Sequence, residues 1–175
     1  TPPHPDVHIA PLALLHHTLQ MADGVSELVR RGCAGAAIPA ARSVFEAWLS
    51  LGFMLAEPLQ FERRSLSWYV DTLVTRLGGL ERLDPKSERG KQYKAQRARD
   101  DYVPKVDLPD AEWVRKEVAG CREQLVLPHL APIAAEYART KKLRRRAEWY
   151  SLFDGPGNLS ELAAHVRRWE LHAVV

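Results

Sequence analysis

Three groups of residues in this 175-residue chain have types and spacings suited to chemistry. The first is Arg167 with His172, near the end of the sequence. A histidine can take up or release a proton near neutral pH, while an arginine steadies negative charge on an anion. Arg122 and His129 stand at a similar separation, so spacing alone does not choose between the pairs. Position favours Arg167 and His172, which follow a basic run and a turn. Five residues on a regular helix turn through about 140°, so these two side chains do not share one face.

The second group is Arg42 and Glu46, four apart and therefore on one helix face. They are the only charges before the end of a very apolar helix, so the pair is expected to be at least partly buried. It reads either as an internal ion pair that fixes helix packing or as the polar floor of a pocket for an anionic substrate.

The third group is Arg139, Lys141, Lys142, Arg144, Arg145 and Arg146, a cationic run with no acid among them. Such a run repels itself and seeks an anion, for which nucleic-acid phosphate is the natural candidate. The plainer reading is a solvated helix end, where cations also favour the negative end of the helix dipole. Trp149 and Tyr150 come next, either to stack on bases or to anchor a loop on the core.

Other chemistries lack their parts. His4, His8, His16 and His17 crowd the start, but Pro5 interrupts any regular helix there and no carboxylate or thiol follows at a familiar ligand spacing. Cys33 and Cys121 are too far apart in sequence, and too few, for a disulfide framework or a cysteine-built zinc site. No glycine-rich phosphate loop, nucleophile elbow or kinase signature occurs. No metal and no cofactor are expected.

Helices must position these residues. The first is expected from about Pro11 to Arg31, stopped by Gly32, with a one-sided stripe of Leu12, Leu15, Leu19, Ala22, Val25 and Val29. The second is expected from about Pro39 to Glu57, apolar nearly all round and therefore central and most buried. A third spans roughly Leu59 to Leu83, weakened or ended early by Gly78 and Gly79. Residues 84–109 read as a polar excursion, an exposed helix or a loop. Asp110 can cap a further helix, which Pro128 and Pro132 kink or restart before it continues to about Arg146. Asp154-Gly155-Pro156-Gly157 is a turn, and Asn158 with Glu161 forms a capping box that opens a last helix. No strand alternation of useful length appears. The fold class is all-α, an irregular bundle of five to seven helices around the central one, in a single domain.

Composition agrees. Hydrophobic residues at 46% and charged residues at 27% suit a packed globular chain rather than a disordered one. Residues 1–61 carry three arginines against five carboxylates, and the positive balance lies further along. No uncharged apolar run is long enough to span a membrane and no signal peptide is visible, so a cytoplasmic, reduced protein is expected. The last residues, Ala173, Val174 and Val175, remain apolar without a stop signal, from which a continuing native chain is expected.

Ala41-Arg42-Ser43-Val44-Phe45-Glu46-Ala47, followed much later by Trp149-Tyr150 and Asn158-Leu159-Ser160-Glu161-Leu162, resembles a bacterial all-helical family of unknown function with an Arg-Ser-x-x-Glu helix. That family is similar to HEPN domains, and Arg167 with His172 fits the Arg-x4–6-His pattern of HEPN ribonucleases. The resemblance covers roughly residues 10–60 and 145–172. Members usually continue into a helix with a Tyr…Ser…His pattern, before which this sequence stops. The resemblance implies a metal-independent endoribonuclease or RNA binder, often a dimer, of a toxin or phage-defence system.

Two functions therefore stand side by side. One is an RNA-directed helical protein with Arg139 to Arg146 on phosphates and Arg42, Glu46 or Arg167 with His172 in the cleft. The other is a non-enzymatic interaction module whose partner helix, or second copy, meets the apolar face from Trp169 to Val175. A third, an enzyme acting on a small anion through Arg42, lacks a second catalytic group.

Overall fold

The computed structural model describes residues 4–99, 109–144 and 146–173, with side chains through residue 167. Among the described residues there are seven α-helices and no strand. They are α1 (Ile9–Arg30), α2 (Ala34–Leu55), α3 (Phe61–Leu83), α4 (Glu88–Ala98), α5 (Ala111–Leu125), α6 (Ala131–Leu143) and α7 (Leu159–Ala173). Short 3-10 turns at Pro5–His8, Pro58–Gln60 and Trp149–Asp154 complete them. The all-α expectation holds, and no helix among the described residues is long and apolar enough to cross a membrane.

The residues divide into two compact units, Thr1–Tyr69 with Ala135–Val175, and Val70–Ala134. The chain leaves the first within α3 and re-enters it within α6.

In the first unit, α1 and α2 form an antiparallel hairpin. Gly32 closes α1 at φ 73°, a left-handed position that costs glycine little. Its N–H donates to the Val29 carbonyl and that of Cys33 to the Leu28 carbonyl, which satisfies two orphan acceptors at the helix end. α2 also packs on α7. The core between them gathers Ala10, Leu14, Ala47, Leu49, Phe53, Met54, Trp149, Leu162 and Val166. Burial of this set is the main driving force for the unit.

The second unit is built from the remainder of α3 with α4 and α5. Val70, Leu73, Leu80, Val114, Val118 and Cys121 are buried there. Glu81 takes ion pairs from Arg89 at 3.2 Å and Arg122 at 2.9 Å. Asp110 caps α5 as expected, its Oδ2 accepting the N–H groups of Glu112 and Trp113 at 3.0 and 2.9 Å.

One helix start differs from expectation, and the other boundaries fall on expected ends or on one of the expected alternatives. α2 begins at Ala34, so Pro39 sits inside it rather than in its first turn. Gly78 and Gly79 do not end α3 early, and it runs to the expected Leu83. Within 84–109, residues 88–98 form α4, capped by Ser87, whose Oγ accepts the Gly90 N–H at 2.8 Å. Residues 100–108 lie outside the described part. α5 ends at Leu125 and α6 restarts at Ala131, with Pro132 harmless in its first turn.

Two corrections concern burial. The α1 stripe is not the packed face: Leu12, Leu15, Leu19, Ala22 and Val29 are exposed and Val25 is half-buried, while Ala10 and Leu14 face the core. α2 is central but not buried all round, because Ile38, Phe45, Trp48 and Leu55 are exposed. Each helix of the hairpin has neighbours on only part of its circumference, and both sequences are apolar beyond that part.

Candidate functional site

The first unit holds a cleft of about 430 Å³. Its polar and aromatic lining comes from the start of α3, the turn after Trp149 and the start of α7: Arg63, Arg64, Tyr150, Phe153, Glu161 and His165.

The turn is the least regular wall and the most tightly determined. Trp149, Ser151 and Leu152 are buried and anchor it. The Glu148 N–H donates to Ser151 Oγ at 3.3 Å, and that hydroxyl donates to the Pro156 carbonyl at 2.7 Å. Phe153 and Asp154 both lie at positive φ, 54° and 61°. Left-handed backbone costs a non-glycine residue roughly 1–2 kcal/mol, so something must hold it. Glu136 does so, its Oε1 accepting the Phe153 N–H at 3.1 Å. The same oxygen accepts Thr140 Oγ1 at 3.0 Å, and Arg139 grips the carboxylate through Nε and Nη2 at 2.7 and 2.8 Å. The Arg139 hydrogen bonds, offset by burial and reinforced by the Phe153 N–H and Thr140, lower the Glu136 pKa to about 2. Gly155 follows because a Cβ there would stand 2.0 Å from the Tyr150 carbonyl oxygen.

The opposite wall is a charged stack. Arg64, only 12% exposed, donates Nη1 to the Phe53 carbonyl at 2.5 Å and Nη2 to Glu57 Oε1 at 2.6 Å. Its guanidinium lies 3.9 Å from the centre of the Phe53 ring. Arg64 thus closes the carboxyl end of α2, where the last carbonyls lack helical partners. His165 Nε2 stands 3.4 Å from the same Glu57 oxygen, and its ring meets Phe53 edge-on at 5.1 Å. Arg64 first, and His165 after it, hold the Glu57 carboxyl below its ordinary range. Arg63 lies across the Phe153 ring, 4.8 Å from its centre.

α7 begins on the expected pair Asn158 and Glu161, with the Glu161 carboxylate bonded to the Asn158 side chain and the Gly157 N–H rather than to the Asn158 N–H. Glu161 N–H donates to Asn158 Oδ1 at 3.0 Å, and Asn158 Nδ2 donates back to Glu161 Oε1 at 2.6 Å. Glu161 Oε2 also accepts the Gly157 N–H at 2.7 Å, which ties the turn to the helix.

The sequence-derived residues fall in different places. Arg42 Nε donates to Glu46 Oε1 at 2.7 Å, so the pair forms, but the side chains are 76% and 41% exposed. The expectation of a buried pair is corrected. Ala37, Ala40 and Val44 occupy the covered side of α2, and Arg42 and Glu46 lie roughly opposite, turned to solvent. Neither residue lines the cleft. Arg167 is exposed on α7. The side chain of His172 lies outside the described residues, and the unbroken helix sets the two positions about 140° apart around its axis.

The basic run occupies the end of α6 and the link beyond it. Arg139 is engaged by Glu136, one turn earlier in the helix, which raises the arginine's pKa. Lys141 donates Nζ to the Ala147 carbonyl and lies 5.2 Å from the centre of the Tyr137 ring. Lys142, Arg144 and Arg146 are exposed, and Arg145 lies outside the described residues. The guanidinium of Arg144 stands 3.7 Å from where a Gly157 Cβ would be, beside the turn that walls the cleft.

Arg63, Arg64, His165, Glu57 and Glu136 were not singled out by sequence for the cleft. The signal available was the turn itself: a buried aromatic knot before Asp154-Gly155-Pro156-Gly157 marks a loop held in one conformation. No protein-family model matches this chain, and neither a curated protein nor a solved structure does.

Proposed function

We propose that the protein is RNA-directed and that the cleft beside the Phe153–Gly157 turn receives a single-stranded segment. The observation that carries this reading is a convergence. Arg144, at the edge of the exposed cations, reaches the same turn on which Arg63 lies, and Tyr150 and His165 line the cleft behind it. Cations that follow a backbone, next to an aromatic face on which a base can stack, are the parts that single-strand binding requires. Lys142 and Arg146 extend the charge along the strand.

Cleavage of that RNA by a metal-independent, HEPN-like route would rest on Arg167 and His172. Their separation around α7 does not direct both at one phosphate from the same chain. Binding is therefore the part of the reading that the geometry supports best.

The test is retardation of end-labelled single-stranded RNA by the purified chain across a salt series. Each phosphate contact contributes about 0.7 to the slope of log affinity against log salt for single strands. Arg63→Gln and Arg144→Gln should each weaken binding to all sequences alike and reduce that slope by about one contact's worth. Binding indifferent to salt, or unchanged in both variants, overturns the proposal. EDTA and His172→Ala, in the same assay, report whether the RNA is also cut and by which residue.

A further inference from the structure

We propose that the exposed face of the α1–α2 hairpin is the contact surface for a second copy of this chain, two hairpins closing into a four-helix bundle. The face is written in both helices with the same alternation of three and four. In α1 it runs Leu12, Leu15, Leu19, Ala22, Ser26, Val29; in α2 it runs Ile38, Ala41, Phe45, Trp48, Leu55, with Gly52 in the same register but set against Val166 of α7. That spacing is the heptad seam of packed helical bundles. In each helix the seam lies about 100–120° around the axis from the side that packs on its hairpin partner. Because the helices are antiparallel, those two rotations bring both seams to the same side of the hairpin.

This side is apolar and open. Leu12, Leu15, Leu19, Val29, Ile38, Phe45, Trp48 and Leu55 are each between 46% and 69% exposed. At about 200 Å² for a large apolar side chain, they leave roughly 900 Å² of surface in water. The largest apolar patch on an ordinary monomer is about 300–600 Å². A standard interface takes about 800 Å² from each partner. The exposed area therefore matches what one stable dimer needs.

A second copy fits better than a charged partner. None of the eleven open seam positions bears a charged side chain, so two identical faces meet without repulsion. The face is also self-complementary in relief. Phe45 and Trp48 stack on each other, ring centres 6.4 Å apart, and make a ridge. Ala22, Ser26 and Ala41 make a hollow next to it, nearer the α1–α2 turn. A two-fold axis between ridge and hollow sets the ridge of each copy into the hollow of the other, as an isologous interface requires.

The experiment is sedimentation equilibrium of the whole chain at micromolar concentration, with circular dichroism on the same samples. The expected result is a species of twice the 19.8 kDa chain mass. Phe45→Glu places a carboxylate on the ridge, and Ala22→Trp fills the hollow. Each should raise the dimer dissociation constant by about 100-fold or more while leaving the helical signal unchanged, because both positions are exposed in the single chain. A wild-type monomer overturns the proposal, and flotation of that monomer with phosphatidylglycerol vesicles would give the face to a lipid surface instead. A dimer that persists in both variants also overturns it, since assembly then uses another surface. So does loss of helical signal in both variants, which would place these positions inside the fold.

Discussion

Glu136 organises the turn more than any residue within the turn does. Its carboxylate accepts from the Phe153 backbone, Thr140 and Arg139, and so holds two consecutive residues at positive φ. Glu136→Ala leaves the Phe153 N–H without this acceptor and should cost about 1–3 kcal/mol, read as a shift in denaturant midpoint. The pH dependence has a definite sign. The folded carboxyl titrates at about 2 against an ordinary value of 4.5. Its contribution to stability is complete above about 4.5 and is lost as the pH falls through about 2. Glu136→Gln should flatten the corresponding loss of stability between about pH 4.5 and about pH 2. A variant as acid-sensitive as the parent would remove Glu136 from this role.

At the scale of elements, ends matter more than middles. Asp110, Ser87 and the Asn158–Glu161 pair each supply acceptors to donors that the first turn leaves unpaired. Asp110→Ala should cost about 1 kcal/mol, seen as a lower melting temperature and faster amide exchange in the first turn of α5. The middles explain why two kinds of helix breaker leave their helices intact. Gly78 and Gly79 carry a propensity penalty of about 1 kcal/mol each, which the burial of Leu73 and Leu80 on either side outweighs. Pro39 forfeits one helical hydrogen bond in α2, yet packing of Ala37 before it and Ala47 after it carries the helix through.

At the scale of the molecule, the first unit depends on a small core that α7 completes. Leu162 is fully buried against residues of α1, α2 and Trp149. Leu162→Ala removes that volume from a closed environment and should destabilise the unit by about 2–5 kcal/mol. Trp149 lies in the same core, so tryptophan emission should shift at the lower midpoint. An unchanged midpoint would mean that α7 docks without contributing to the stability of the unit. Because the residues form two compact units, such a loss need not be felt equally in both, and a second transition would be its signature.

The helical class, the turns, the caps and the order of elements were legible in the residues alone. Those depend on neighbours a few residues apart, and the chain states them directly in Gly32, Asp110, Asn158, Glu161 and the Gly155–Gly157 turn. It also held the apolar alternation of α1 and α2 in full. What it did not determine is which side of each helix has a neighbour. A stripe of leucines looks the same whether it meets the chain's own core or open solvent, and the exposure of the α1 stripe emerges once the helices are packed. The same limit applies to charge. Arg42 with Glu46 is legible as a pair at a spacing of four, but its exposure depends on where α1 lies. The cleft was out of reach for a related reason. Arg63, Glu136, Trp149 and His165 come from four separate stretches, and only folding brings them around one turn.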